Sequence, residues 1–438
     1  MNFREKAEHI FLAGIRRVLP GKIISDLVSL RGSLLKIGDL SFDLELFNKI
    51  YILGAGKASA ALGHYLENIL GERITAGHIV TKYGHYCRLR KIKVTEAGHP
   101  VPDENSFLAA SEILRIAGDV SENDLVICVW SGGGSSLLAD HPDSSSQLEL
   151  SFFNDMLVRC GAGIGEINIV RKHLSKIKGG QLLRHIWPAT CVTVYLSDVI
   201  GDPPDVVASG PTSPDNSTFE NALQVIEKYG LKSDMPASLL GFIYEGVQGI
   251  HPDTPKLGDQ VFSRSELVLA GNNMKALQAA SREAEEMGFS TFIVTAGLSG
   301  DTDQACSSII DAIHWYRNNG TVAKPVCLLF GGETTVRVTG DGLGGRNQHF
   351  ALTAAIRLQD IAGITFLAAG TDGNDGNTDM AGAVVDSETI HDALSMNVDP
   401  VKFIKEFDSF NFFRAVGGHI HTGPTLTNVM DIIIVIIE

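Results

Sequence analysis

Lys49 to Leu70 reads KIYILGAGKASAALGHYLENIL. Lys49 to Leu53 has the apolar pattern of a buried strand, Gly54-Ala55-Gly56-Lys57-Ala58-Ser59 follows at once, and Ala60 to Leu70 repeats apolar positions at helical spacing. A strand that passes through glycine straight into a helix is the building unit of an open α/β sheet. In that unit ligands bind beyond the carboxyl ends of the strands. The helix dipole and its unpaired N–H groups make the turn a cradle for an anion. Gly54-x-Gly56-x-x-Ser59 departs from the dinucleotide fingerprint at its third glycine. The next strand, Gly77 to Thr81, ends at Lys82 where a ribose-binding acid would stand. The four-residue spacing of a P-loop is also missing. A lysine at a helix start opposes the dipole unless an anion compensates, so Lys57 is a candidate phosphate or carboxylate ligand.

Further along the chain the same design returns. Leu125 to Trp130 is a continuous apolar run, as in a central parallel strand, and Ser131-Gly132-Gly133-Gly134-Ser135-Ser136 opens the following helix as a second anion nest. Between the two lies Ala97-Gly98-His99-Pro100-Val101-Pro102-Asp103, a turn with Asp103 as N-cap of a helix to Ile116 and His99 as a structural loop residue. Asn168 to Lys178 reads as one basic helix carrying Arg171, Lys172, Ser175, Lys176 and Lys178. Such a run is usually a solvated face. It precedes the strand Cys191 to Leu196 and the acidic loop Ser197-Asp198-Val199-Ile200-Gly201-Asp202-Pro203-Pro204-Asp205, whose place after a strand makes Asp198 a candidate ligand or base.

Proline, glycine and charge coincide in Gly249 to Asp259, the expected linker. The expected domains are therefore 1–250 and 260–438, the second beginning with a strand at Leu267 to Gly271. In that half, Phe330 to Phe350 reads FGGETTVRVTGDGLGGRNQHF. Thr334 to Thr339 alternates like a strand, and the glycine-rich turn after it brings Arg346 to a helix start. A guanidinium there offers a fixed fork of donors to phosphate or carboxylate. Ile364 to Ala368 enters Gly370-Thr371-Asp372-Gly373-Asn374-Asp375, where acids beside glycine suit Mg²⁺ held by a carboxylate and substrate phosphates. Glycine and Ala383 fall where calcium ligands would be needed, so an EF-hand is rejected. His419 and His421 lack a clear third ligand for zinc.

Composition narrows the function classes. The chain has 438 residues, a formal charge of -15 and hydrophobic residues at 44%. Its mean hydropathy is +0.10. These values describe a globular chain of two domains and argue against a nucleic-acid partner, which selects a basic face. Its 6 cysteines are scattered without a C-x-x-C pair, which suits reduced core residues in the cytoplasm. Neither a signal-peptide core nor an apolar run of membrane-spanning length occurs, so a cytoplasmic protein without a membrane partner is expected, as monomer or homodimer.

Eight stretches in this order, GAGKAS, AGHPVPD, SGGGSSLL, NIVRKHLSKIKGG, LSDVIGDPPDVVASGPTSPD, GGETTVRVTGDGLGGRNQ, GTDGNDG and TGPTLTNVMD, resemble the class II glycerate 2-kinases, the MOFRL family. The resemblance runs from about Ile52 to Asp431. It implies a larger N-terminal Rossmann-like α/β domain with a parallel sheet, a smaller C-terminal α/β domain, and an active site in the cleft between them. It also implies ATP-dependent phosphorylation of D-glycerate at its 2-hydroxyl, with Mg²⁺. Lys57 and Arg346 would be the principal catalytic pair, with Asp198 beside them. Substrate and nucleotide contacts would come from Gly54, Gly56, Ser59, Ser131, Gly132, Gly133, Gly134, Ser135, Arg171, Lys176, Glu333, Asn347, Thr371 and Asp372. Metal candidates are Asp198, Asp372 and Asp375. Met430 and Leu426 depart from the motif without removing a charge. The alternative is an NAD(P)H-dependent hydroxypyruvate reductase, a label some relatives carry.

Overall fold

The structure is a computed structural model that describes residues 1–318 and 320–438. Its contacts divide the chain into two compact units. One comprises Ile23–Ser197 and Asp202–Ala270; the other comprises Met1–Lys22, Asp198–Gly201 and Gly271–Glu438.

The first unit begins with an antiparallel meander of β1 (Val28–Arg31), β2 (Leu34–Ile37) and β3 (Leu40–Asp43). Its main sheet is built from β4 (Lys49–Ala55), β5 (Ala76–Lys82), β6 (Ile92–Ala97), β7 (Asp124–Trp130), β8 (Thr190–Leu196) and β9 (Ser265–Gly271), in the order β6-β5-β4-β7-β8-β9. The pairs β6–β5, β5–β4, β4–β7 and β7–β8 are parallel. Every residue of β7 is buried, as expected of a central strand with neighbours on both sides. Strand order runs outward from β4 in one direction and from β7 in the other. The switch point therefore falls between these two strands, and the chain leaves both of them through glycine.

The second unit contains β10 (Ser290–Leu298), β11 (Val326–Gly332), β12 (Ile364–Gly370), β13 (Gly382–Asp386), β14 (His419–Ile420) and β15 (Asp431–Ile437). Their order is β10-β11-β15-β12-β13-β14. The last strand of the chain is central, antiparallel to both β11 and β12, and buried along its whole length. In this register Asp431 faces Gly332 at the end of β11 and Gly370 at the end of β12.

Four features differ from the sequence expectations. The N-terminal helix Phe3–Val18, capped by Asn2, packs with the second unit, burying Ala7, Ile10, Phe11 and Ile15. Gly14 on that helix comes so near the helix Asn273–Glu286 that an added Cβ would lie 3.1 Å from the Ala276 carbonyl oxygen. The strand read as the start of a second domain is β9, which sits at the edge of the first sheet. Thr334 to Thr339 forms no strand beyond a single bridge from Thr335 to Asp301. Finally, the basic segment is not one helix. Helix Ile164–His173 stops because Ser175 Oγ accepts from the N–H groups of Ile177 and Lys178. Lys172 and Lys178 are buried and ion-paired rather than solvated.

Phe11 is fully buried in the second unit. Phe11→Ala should cost about 3–5 kcal/mol and raise amide exchange in the Asn273–Glu286 helix; unchanged exchange there would remove Phe3–Val18 from that core.

Candidate active site

In the first unit the two glycine turns flank the switch point and lock onto each other. Gly56 has φ +135°, and a Cβ there would fall 2.1 Å from Ser131 Oγ, so glycine is required. Gly54 is equally crowded, against Val129. The Lys57 N–H donates to the Gly132 carbonyl at 2.9 Å. Ser131 Oγ accepts from the Ala58 N–H at 3.0 Å and lies 3.1 Å from Ser59 Oγ. Gly133 has φ +81°, and a Cβ there would come within 2.9 Å of the His99 ring and 3.4 Å of Lys57 Cγ. Gly134 meets Ala208, and Ser135 Oγ meets Ser209 Oγ at 2.7 Å. Lys57, Gly132, Gly133 and His99 are thus held side by side. Their neighbourhood is cationic, and the imidazole responds. Burial, with Lys57 and Lys82 nearby, pushes the His99 pKa down to about 4.

The basic segment contributes unequally. Lys176 pairs with Asp143 at the surface, and its N–H is taken by Asp140. Arg171 donates from Nε to Asn154 Oδ1 at 3.1 Å and lines a cavity with Ser135.

In the second unit the helix Arg346–Leu358 starts at Gly345 and presents Arg346 to the first residue of β15. Nε and Nη2 donate to the two Asp431 oxygens at 2.6 and 3.0 Å, and Nη1 pairs with Glu333 at 2.7 Å. Burial disfavours the charge, yet Asp431 and Glu333 raise the Arg346 pKa above its ordinary value. The guanidinium is therefore charged and fixed in angle, with the remaining Nη donors available to an anion.

Asp375 does different work from that expected of a metal ligand. Its Oδ1 accepts from the Asn347 N–H and side chain, and its Oδ2 from the Gln348 N–H and side chain. It caps the helix that carries Arg346, from a distant loop. Burial pushes its pKa up to about 6 despite these donors. Asn347 is correspondingly buried and occupied by Asp375. Asp198 accepts from Asn428 Nδ2 at 3.2 Å and Asp372 from the Asn374 N–H at 3.2 Å; both are partly exposed. Thr371 is buried, its Oγ1 donating to the Met430 carbonyl and accepting from the Val429 N–H. Among the described residues no three His, Cys, Asp or Glu side chains gather as a metal cluster, and no helix is long and apolar enough to cross a membrane.

Sequence reasoning passed over Asp431, Asn428 and the position of His99. Asp431 carried one available signal, an acid directly before the apolar run of the last strand.

Two interlocked glycine turns at the switch point of a parallel sheet, and in the second unit an arginine clamped between carboxylates, mark an α/β protein with its conspicuous polar groups at strand ends. Residues 6–243 match the model of a domain of unknown function (DUF4147), and residues 326–431 match the MOFRL family. The chain is 40% identical to the D-glycerate 2-kinase of Thermotoga maritima over 88% of its own length and 90% of that protein. A solved glycerate kinase from Thermotoga maritima matches with a TM-score of 0.87 at 38% identity, covering 99% of both chains. A putative hydroxypyruvate reductase of Agrobacterium vitis is 38% identical over 87% of this chain and 85% of its own. The chain belongs to the glycerate kinase family that carries these two regions.

Because the folded pKa of His99 lies below its unfolded value, neutral His99 contributes stability that is complete above about pH 6.5. That contribution is lost as the pH falls toward 4. Urea midpoints from pH 7 to 4 should therefore fall more steeply for the native chain than for His99→Gln, and parallel curves would contradict the assignment.

Proposed function

We infer that this chain is an ATP-dependent kinase that phosphorylates D-glycerate at its 2-hydroxyl, giving 2-phosphoglycerate and ADP. The observation that carries the reading is the Arg346 guanidinium. It is charged, fixed by Asp431 and Glu333, and set at the ends of β11 and β12 in a chain closely similar to a D-glycerate 2-kinase.

Phosphoryl transfer needs positioning and neutralisation of charge on equatorial oxygens more than covalent help. In the reaction the 2-hydroxyl oxygen bonds to the γ-phosphorus. The bond from that phosphorus to the β–γ bridging oxygen breaks, ADP keeps the electron pair, and the hydroxyl proton passes to a carboxylate. Arg346 supplies positive charge to the transferring group, and Lys57 supplies it beside the glycine turns. The turn after β7 offers the N–H groups of Gly132 and Gly133 to the nucleotide phosphates, since those of Gly56, Lys57 and Ala58 are already taken. Asp198, oriented by Asn428, is the preferred base, with Asp372 the other candidate.

Magnesium, when bound, would neutralise phosphate charge. Asp198 and Asp372 suit it, because Mg²⁺ is commonly held by one or two carboxylates together with substrate phosphates. Asp375 does not, since both of its oxygens are committed to the helix cap. The reductase reading finds less support: β5 ends at Lys82, where a dinucleotide site would place an acid for the ribose.

Purified protein with Mg-ATP and D-glycerate, coupled through enolase and pyruvate kinase without phosphoglycerate mutase, should give a signal, because only 2-phosphoglycerate feeds enolase. Silence there with NAD(P)H oxidation by hydroxypyruvate would establish the reductase instead. Arg346→Ala and Lys57→Ala should each lower kcat by roughly 10³-fold or more, and near-normal kcat would clear either residue of a catalytic role. Asp431→Asn should lower kcat less than Arg346→Ala, since the guanidinium remains but loses its clamp. Normal turnover in both Asp198→Ala and Asp372→Ala would exclude these two carboxylates as base.

A further inference from the structure

Resting on the kinase reading, we propose that the cavity lined by Ser135, Asp140, Arg171 and Lys178 in the first unit binds the carboxylate of the acceptor acid, with Arg171 as the group that recognises it. Three observations carry the argument.

The first is an arginine without a counter-ion. Arg171 is partly buried, and its only hydrogen-bond partner among the described residues is the neutral Asn154 side chain, through Nε. Its Nη groups make no hydrogen bond to the described residues. Burial holds the Arg171 pKa below the usual guanidinium value. A guanidinium in such surroundings gains most from an anion that presents two oxygens in a plane.

The second is the balance of charge around the cavity. Lys178 is buried and pairs with Asp140 at 3.7 Å, while Asp140 also accepts from Ser175 Oγ and the Lys176 N–H. Asp140 thus answers Lys178, and the charge of Arg171 is left over. Burial chiefly, and Arg171 as well, hold the Lys178 pKa down although Asp140 works the other way. A small anion would relieve both cations.

Third comes size and place. The cavity measures about 390 Å³ counting its open mouth, but only about 30 Å³ admits the centre of a water molecule. That is room for about two waters, which matches the two oxygens of a carboxylate and is far too little for a nucleotide. Its wall includes Ser135, directly after the glycines of the second nest, and Pro100, directly after His99. An acid anchored by its carboxylate here would lie beside the loop that holds Lys57.

The assignment is tested by steady-state kinetics of the native enzyme, Arg171→Gln and Arg171→Lys, each first shown to be folded by thermal melting and to keep its KM for ATP. Arg171→Gln should raise the KM for D-glycerate roughly 10²-fold, as loss of charge-assisted hydrogen bonds to a carboxylate requires. Its kcat should change by much less, and Arg171→Lys should recover part of the loss. The native enzyme should prefer D-glycerate over its uncharged methyl ester, and Arg171→Gln should lose most of that preference. An unchanged KM for D-glycerate in a folded Arg171→Gln would overturn the proposal, as would an unchanged preference over the ester. If the native protein phosphorylates no glycerate, the kinase reading fails separately. Calorimetric titration with D-glycerate then still decides the cavity. Binding by the native chain that Arg171→Gln loses supports it, and binding that is equal or absent in both overturns it.

Discussion

The second unit is organised around a buried carboxylate, Asp431, and the guanidinium that answers it. A carboxylate at the start of a wholly buried strand is costly unless it is paired, and breaking such a pair typically costs about 3–5 kcal/mol. Arg346 meets Asp431 with two parallel bonds, and that geometry fixes the start of the Arg346–Leu358 helix relative to β11, β12 and β15. Gly332 and Gly370 stand opposite Asp431, where a Cβ on Gly332 would run into the Leu298 backbone and one on Gly370 would lie 3.4 Å from Asp431 Oδ1. Asp375 secures the same helix from another loop by accepting its first free N–H groups. One positive charge is thereby held at a set angle by Asp431 and Glu333, on a helix capped by Asp375.

The first unit solves its problem with backbone instead of ion pairs. At the switch point the turns after β4 and β7 approach so closely that a Cβ on Gly56 would collide with Ser131. Only glycine allows the Lys57 N–H to reach the Gly132 carbonyl while Ser131 Oγ takes the Ala58 N–H. The cost is a strained, side-chain-free pair of turns. The result is a lysine and the backbone of Gly132 and Gly133 held in fixed relative positions, the kind of preorganisation on which electrostatic stabilisation depends.

Legibility differed from element to element. The β4 turn, the buried strand β7, the capped helix after Asp103 and the helix opening at Arg346 were all readable, because periodicity and capping are local. The basic segment was not, since its helix ends at His173 and the turn that follows is fixed by Ser175, which Asp140 holds from 35 positions away. Thr334 to Thr339 alternates like a strand, yet has no neighbouring strand to pair with beyond one bridge. The acids of GTDGNDG look alike in sequence. Asp375 is consumed by Asn347 and Gln348, whereas Asp372 stays partly exposed, and no local pattern separates the two.

By itself the sequence determined the α/β class, the two glycine turns, and Lys57 and Arg346 as the notable cations, because strand-to-helix punctuation and glycine content are written in consecutive residues. Tertiary structure alone decided that the last strand lies in the middle of its sheet, that the first helix packs with the last residues, and that Asp431 belongs to Arg346. It also decided that Arg171 has no carboxylate partner among the described residues. Pairing between residues hundreds of positions apart, and the burial that gives each charge its energetic weight, arise only when the chain closes on itself.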